Sequence, residues 1–153
     1  MLIESEAYDD TNAPHKPEEW GDTVYRHCTF DTLDLEGVIF GGIMDGCAFT
    51  GCEMYWAFFN VALVAGTRFE DCTFLGASFR GCTFVDCKFV DCAFALDNLG
   101  SDCTIDDCTM AACTFERCEW TTKPSRPAGK RDVTKTRFLG CTHDDCEGFD
   151  GMF

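Results

Sequence analysis

Thirteen cysteines in 153 residues are the first place to look for chemistry, because thiolates ligate zinc, exchange disulfides and attack as nucleophiles. Eleven of them have another cysteine five residues away, as in Cys103, Cys108, Cys113 and Cys118. Cys-x4-Cys lies at the edge of the spacing used by structural zinc sites. Two observations argue against metal. The same slot holds alanine at Ala57, Ala62 and Ala77, and alanine ligates nothing. Of the three histidines, His15, His27 and His143, only His143 stands close to such a pair. The cysteines therefore read as small buried apolar residues, with no metal and no cofactor expected. No Ser/His/Asp grouping, phosphate-cradling glycine loop or established metal motif is present, so no catalytic residue is assigned and no enzyme is expected.

The cysteine spacing is one half of a longer pattern. From Thr67 to Phe94 the chain reads TRFEDCTFLGASFRGCTFVDCKFVDCAF, with Phe69, Phe74, Phe79, Phe84, Phe89 and Phe94 each five residues apart. Two residues before them stand Thr67, Cys72, Ala77, Cys82, Cys87 and Cys92, all small. Neither a helix nor an alternating strand has a period of five. A fixed period carried by two positions marks a repeat architecture.

This pattern resembles the pentapeptide-repeat family, whose motif has a large apolar centre preceded at two positions by a small residue. The resemblance covers roughly Cys28 to Trp120 and resumes at Thr136. It implies an all-β fold, a right-handed quadrilateral β-helix of about six coils with four pentapeptides per coil, and a core of those phenylalanines and cysteines. Centres four repeats apart should then stack. The expected columns are Phe30, Phe49, Phe69, Phe89 and Met110; Leu35, Met54, Phe74, Phe94 and Phe115; Phe40, Phe59, Phe79, Leu99 and Trp120; and Met44, Val64, Phe84 and Ile105. Cys52, Cys72, Cys92 and Cys113 form a small-residue column. Asp97 falls in an inward slot, where an unpaired carboxylate is costly. The expectation is that an insertion in ALDNLGSDC bulges that corner outward and lets Asp97 bond local backbone.

Residues 1–22 carry seven acidic side chains, Lys16 and two prolines, and read as an acidic tail, or as a cap in which Trp20 and Tyr25 cover the first coil. Residues 23–120 are the β-helix. Residues 121–136, TTKPSRPAGKRDVTKT, read as a basic loop thrown out between coils, with Lys123, Arg126, Lys130, Arg131 and Lys135. Residues 137–153 form a last, degenerate coil in which His143 and Gly148 take centre positions. Its Phe149, Met152 and Phe153 read either as a cap or as a homodimer contact.

The charge is far from balanced: 27 acidic against 12 basic residues, a net of −15. No apolar run approaches the roughly 20 residues of a membrane span, and MLIESEAYDD lacks the basic and apolar regions of a signal peptide. A soluble cytoplasmic protein follows, without a membrane and without direct nucleic-acid binding. Residues 25–120 hold 15 acidic and 5 basic side chains, a net of −10, and Asp71, Asp86, Asp91, Asp106 and Asp107 stand at outward positions. A rod studded with carboxylates imitates a duplex, which carries one charge per roughly 1.7 Å of axis. The chain is similar in fold to the Qnr and MfpA types of the family, which act as DNA mimics on DNA gyrase. That resemblance implies a DNA-binding protein such as a gyrase or another topoisomerase as partner, with the basic loop contributing. It has fewer coils than those proteins and no C-terminal helix of the kind found at their dimer contacts. The rival expectation is a structural or adaptor module whose partner reads the loop or the tail.

Overall fold

The computed structural model describes residues 1–12, 18–125 and 131–153. Each pentapeptide is one side of a square coil. In the unit centred on Phe74, Thr73–Leu75 is a three-residue strand and the next residue, Gly76, turns the corner at φ +58°. Phe74 points inward and is fully buried, and so is Cys72 two residues earlier, while Thr73 and Leu75 lie on the outer surface. Four such units return the chain to its starting side, one strand spacing along the axis.

The strands accordingly form four parallel sheets, of seven, seven, four and five strands among the described residues. The first face carries the centres Ile3, Tyr25, Met44, Val64, Phe84, Met110 and Phe138. The second carries Tyr8, Phe30, Phe49, Phe69, Phe89, Phe115 and His143. The third, opposite the first, carries Met54, Phe74, Phe94 and Trp120, and the fourth Phe40, Phe59, Phe79, Ile105 and Val133. Isolated bridges Asp34↔Glu53 and Glu119↔Glu147 extend the third face at both ends. Five four-sided coils thus stand between two half-coils, in agreement with the expected fold and coil number.

Aromatic rings stack along the axis inside this tube. On the second face the ring centroids of Phe30, Phe49, Phe69, Phe89 and Phe115 follow one another at 4.4, 5.0, 4.8 and 4.8 Å, close to parallel. The sheet spacing of about 4.8 Å imposes that distance, and offset stacks of this kind add about 0.5–1.5 kcal/mol per pair beyond their buried area. The thiols line the corners and donate to main-chain carbonyls; Cys92 Sγ, for example, reaches Phe69 O at 3.3 Å and Val90 O at 3.4 Å. All thirteen cysteines are free thiols, eleven of them buried. Burial pushes Cys47 and Cys103 up to about 11, so these thiols stay neutral and inert.

The structure corrects the expected register after Phe94. Phe79 pairs with Ile105, Phe84 with Met110, Phe89 with Phe115 and Phe94 with Trp120, so this turn of the coil is longer than the ones before it. A whole pentapeptide and one further residue leave the coil between Phe94 and Cys103. Leu99, expected between Phe79 and Trp120 in one column, is 78% exposed, and Trp120 stacks on Phe94 at 5.0 Å rather than following Leu99. The column from Cys92 continues to Cys118 and the one from Cys87 to Cys113. The bulge does take Asp97 outward: its carboxylate accepts from Leu99 N, Ser101 N and Trp56 Nε1 at 2.7–2.9 Å.

Two further corrections concern the ends. The first residues are not a tail: Leu2–Glu4 and Ala7–Tyr8 are strands paired with Val24–Arg26 and Thr29–Asp31. Trp20, in the short helix Glu18–Gly21, is 2% exposed and packs on Tyr25, Phe30 and Phe40. The second excursion is shorter than 121–136, because Asp132–Thr134 is already a strand and Val133 a centre. Met110 pairs with Phe138, so less than two pentapeptides' worth of chain is extra in this turn. At the C-terminus Phe149 is fully buried, touching Phe94, Phe115, Trp120 and His143, with Met152 and Phe153 packed beside it. These three residues close the tube, and nothing in the structure supports the expected homodimer through them. No helix among the described residues is long and apolar enough to cross a membrane.

Candidate interaction surface

The enclosed void lined by Phe79, Phe84, Phe89 and Phe94 has about 10 Å³, room for about one water. Among the described residues no three His, Cys, Asp or Glu side chains converge to hold a metal ion. Recognition therefore has to use the outer surface, and the corner geometry decides what stands there.

Corner residues sit at φ near +54°, in the left-handed region. Glycine takes that conformation freely and Asp or Asn more readily than other side chains. The slot accordingly alternates: Gly66, Asp71, Gly76, Gly81, Asp86, Asp91, and later Asp107 and Asp145. Asp71, Asp86, Asp91 and Asp107 are thus aspartates for a backbone reason before any functional one. Their coil positions separate them. Asp86 turns the corner between the first and second faces, and Asp107 the one between fourth and first. Asp106 lies on the fourth face, where its carboxylate accepts from Thr134 Oγ1 at 2.6 Å. Only Asp71 and Asp91 share a corner, between the second and third faces.

That corner is where the carboxylates converge. Asp71, Asp91 and Asp145 turn it, with Asp10 at its start. Immediately beside them, in the first outward column of the third face, stand Asp34, Glu53, Glu119 and Glu147, in register through their pairings. All eight are exposed. Every level of the rod from first half-coil to last thus puts at least one carboxylate on this edge. Of the ridge members not singled out from the sequence, Asp10 was read as part of a tail, and Glu119, Asp145 and Glu147 can be placed beside Asp71 and Asp91 only once the two lengthened turns are known, whereas Asp34 and Glu53 follow from the period alone.

A single cation interrupts the ridge among the described residues. Arg117, at the same corner, donates from Nε to Asp91 Oδ1 at 2.8 Å. That hydrogen bond and the guanidinium charge hold the Asp91 carboxyl below the usual aspartate range. The ion pairs Arg68–Glu70 and Lys88–Glu116 lie on the second face and are half-exposed. Toward the first coils the third face opens into a groove of about 490 Å³, lined by Asp34, Glu36, Glu53, Tyr55, Trp56 and Asn98. The bulge forms one wall, and Tyr55 Oη hydrogen-bonds Asn98 there.

Among the described residues the loop's basic side chains do not come together. Arg131 turns inward to the cap, donating to Gly148 O at 2.7 Å and Asp150 O at 2.9 Å. Lys123 gives its main-chain N–H to the buried Asp102, tying the start of this loop to the first bulge. Lys135 is exposed at the corner between fourth and first faces. Arg126 and Lys130 lie outside the described residues.

No protein-family model matches the chain. No curated protein matches it in sequence. Among solved structures it is similar to HetL, a pentapeptide-repeat protein involved in heterocyst differentiation regulation from the cyanobacterium Nostoc sp. That match has 8% identity, covers 96% of this chain and 84% of the other, and has a TM-score of 0.35. QnrB1, a plasmid-mediated fluoroquinolone resistance protein, matches at 18% identity over 95% and 68% of the two chains, TM-score 0.29. A protein from Parabacteroides merdae described as a putative glycosyl hydrolase matches at 11% identity over 94% and 78%, TM-score 0.36. Overlaps this loose, to proteins of such different kinds, carry no function across to this chain.

Proposed function

We propose that this chain, a pentapeptide-repeat protein by its period of five and its four-sided coil, is a non-enzymatic DNA mimic. It presents its acidic ridge to the basic, DNA-binding surface of a partner protein, a gyrase-type topoisomerase being the leading candidate. The observation that carries this reading is the ridge: eight exposed carboxylates on one edge, with a carboxylate at every level. Levels repeat at about 4.8 Å, so the edge is a regular line of charge about 29 Å long. That approaches one turn of duplex, about 34 Å. Its charges are sparser than the duplex, which has one per about 1.7 Å, so the contact is expected to be weaker than DNA's own and steeply weakened by salt.

The test is a supercoiling assay with purified gyrase and added protein. Asp34→Lys, Glu53→Lys and Asp71→Lys together should abolish any inhibition or protection, because each reverses a ridge charge. Asp86→Lys with Asp107→Lys, off the ridge, should leave it intact. Equal loss in both variants would reduce the effect to net charge. Absence of any effect on gyrase would refute the topoisomerase assignment and favour an adaptor module. In that case shortening the chain within 123–130, which spares Arg131 and Val133, should remove the partner.

A further inference from the structure

The inward corner column directly beneath the acidic ridge differs from the other three. Cys52, Cys72, Cys92, Cys118 and Cys146 stack there on successive levels without a break. At the corner between first and second faces Thr67 interrupts the cysteines, and the corner between fourth and first has only Cys82 and Cys108. Between third and fourth faces Cys103 stacks on Ala77 and has no thiol beside it. All the thiols of the unbroken column point the same way, each donating to a main-chain carbonyl of the coil before at 3.3–3.6 Å. Successive sulfurs therefore repeat with the coil, at about 4.8 Å. Cys146, at the cap end, is partly exposed, and the rest are buried. Outside this end a surface groove of about 350 Å³, lined by Asp91, Glu119, Asp145 and Glu147, reaches Cys92 and Cys118. Arg117, which pairs with Asp91, is the one basic residue lining it.

We propose that the cap end of this column binds a soft monovalent metal ion of the copper(I) class, held in a straight line between the sulfurs of Cys118 and Cys146. Soft thiolates select such ions, and two ligands in line suffice where structural zinc takes four. A metal–thiolate bond of about 2.3 Å gives a linear bridge about 4.6 Å long, close to the coil spacing. The two ligands stand 28 residues apart in the chain and meet only across coils, so the five-residue spacing carries no sign of the site. On binding, both S–H bonds break, two sulfur–metal bonds form and two protons leave to solvent, taking the site from neutral to a charge of −1. Losing the protons gives up the two carbonyl contacts, which the metal–sulfur bonds have to outweigh. The Cys118 N–H, donating to Cys146 Sγ at 3.4 Å, favours the thiolate. The carboxylates of the groove raise the concentration of cations at the mouth of the site. The inference does not depend on what protein reads the ridge.

The test uses the reduced full chain under anaerobic conditions, titrated with copper(I) in competition with a coloured copper(I) chelator. One tightest equivalent is expected, and X-ray absorption at that loading should show two sulfur neighbours and no nitrogen or oxygen. Because two protons leave per ion, the affinity should fall about a hundredfold for each pH unit below neutrality. Cys118→Ala and Cys146→Ser each remove one of the two ligands, and each should cost more than the roughly 10–100-fold lost with an outer-shell partner. Alanine already fills such inward slots at Ala57 and Ala77, so the far-UV circular dichroism spectrum of Cys118→Ala should not change. Cys103→Ala and Cys141→Ser should leave the affinity as it was. A chain that takes no copper from the chelator would overturn the proposal. So would a third sulfur neighbour, indifference to Cys146→Ser, or an equal loss in Cys141→Ser.

Discussion

At the corners a single dihedral angle governs residue choice, and it separates residues that fit from residues that are strained. Val61 and Trp56 occupy left-handed corners at φ +54° and +58°, and Val61 is 69% exposed, so no packing offsets the strain. A β-branched side chain in this region costs about 1–2 kcal/mol, while glycine gives back part of that as unfolded-chain entropy. Val61→Gly is therefore expected to raise the urea unfolding free energy by up to about 1 kcal/mol. Asp91 shows the electrostatic side of the same slot. Arg117 donates a hydrogen bond to it and adds a nearby positive charge, so the folded carboxyl titrates below its unfolded value. The folded chain then binds the proton less well than the open chain does. The pair's contribution is present above the ordinary aspartate range and is lost as pH falls through the lowered folded value. In an NMR titration Asp91 should move back to the ordinary aspartate range in Arg117→Gln.

At the scale of the coil, the two excursions mark the limit of what spacing reveals. The period of five is enough to name each side, its buried centre and its small inward residue, and Phe30 to Phe94 stand where the spacing puts them. Leu99 also lies five residues after Phe94, so spacing alone cannot tell a pentapeptide kept in the coil from one thrown out of it. The signal was Asp97, whose carboxylate cannot sit unpaired in an inward slot; it is satisfied by three donors outside. Val133 was hidden the opposite way, a lone apolar residue in a polar run that nevertheless pairs with Ile105. The ridge was half legible for the same reason, since its later members depend on both registers. The assignment has a direct test. Phe94→Ala should cost about 3–5 kcal/mol, as for a buried aromatic, and Leu99→Ala within about 0.5 kcal/mol of nothing, as for a surface site. Gly148 supplies a second one. It stands at φ +81°, and an added Cβ would lie 2.2 Å from the Trp120 carbonyl oxygen, a main-chain atom that cannot swing aside. Gly148→Ala should therefore cost at least about 1–2 kcal/mol. It should speed amide exchange in Arg137–Leu139 and Thr142–Asp144, where the cap rests, before the central coils respond.

Across the whole molecule, a neutral stacked core and a charged skin pull in opposite directions. Each coil contacts only its neighbours, so the rod depends on both ends being covered, by Trp20 at one and Phe149 at the other. The skin carries a net charge of −15, concentrated where the ridge lines up one carboxylate after another. Like charges stacked along one edge repel in the folded rod and separate when the chain unfolds. The few attractive pairs, such as Arg26–Asp45 and Lys88–Glu116, are half-exposed and add little to oppose this. Salt screens the repulsion over the distance between coils: the Debye length falls from about 30 Å at 0.01 M to about 3 Å at 1 M ionic strength, shorter than one coil spacing. Loss of the exposed ion pairs acts the other way but involves fewer groups. The urea midpoint should therefore rise steadily across that range of sodium chloride. Neutralising three ridge carboxylates with Asp34→Asn, Glu53→Gln and Asp71→Asn should raise the low-salt midpoint and flatten the dependence. If the variant kept the same salt slope, the repulsion would belong to the acidic chain at large, and the ridge would have no special place in the energetics of the fold.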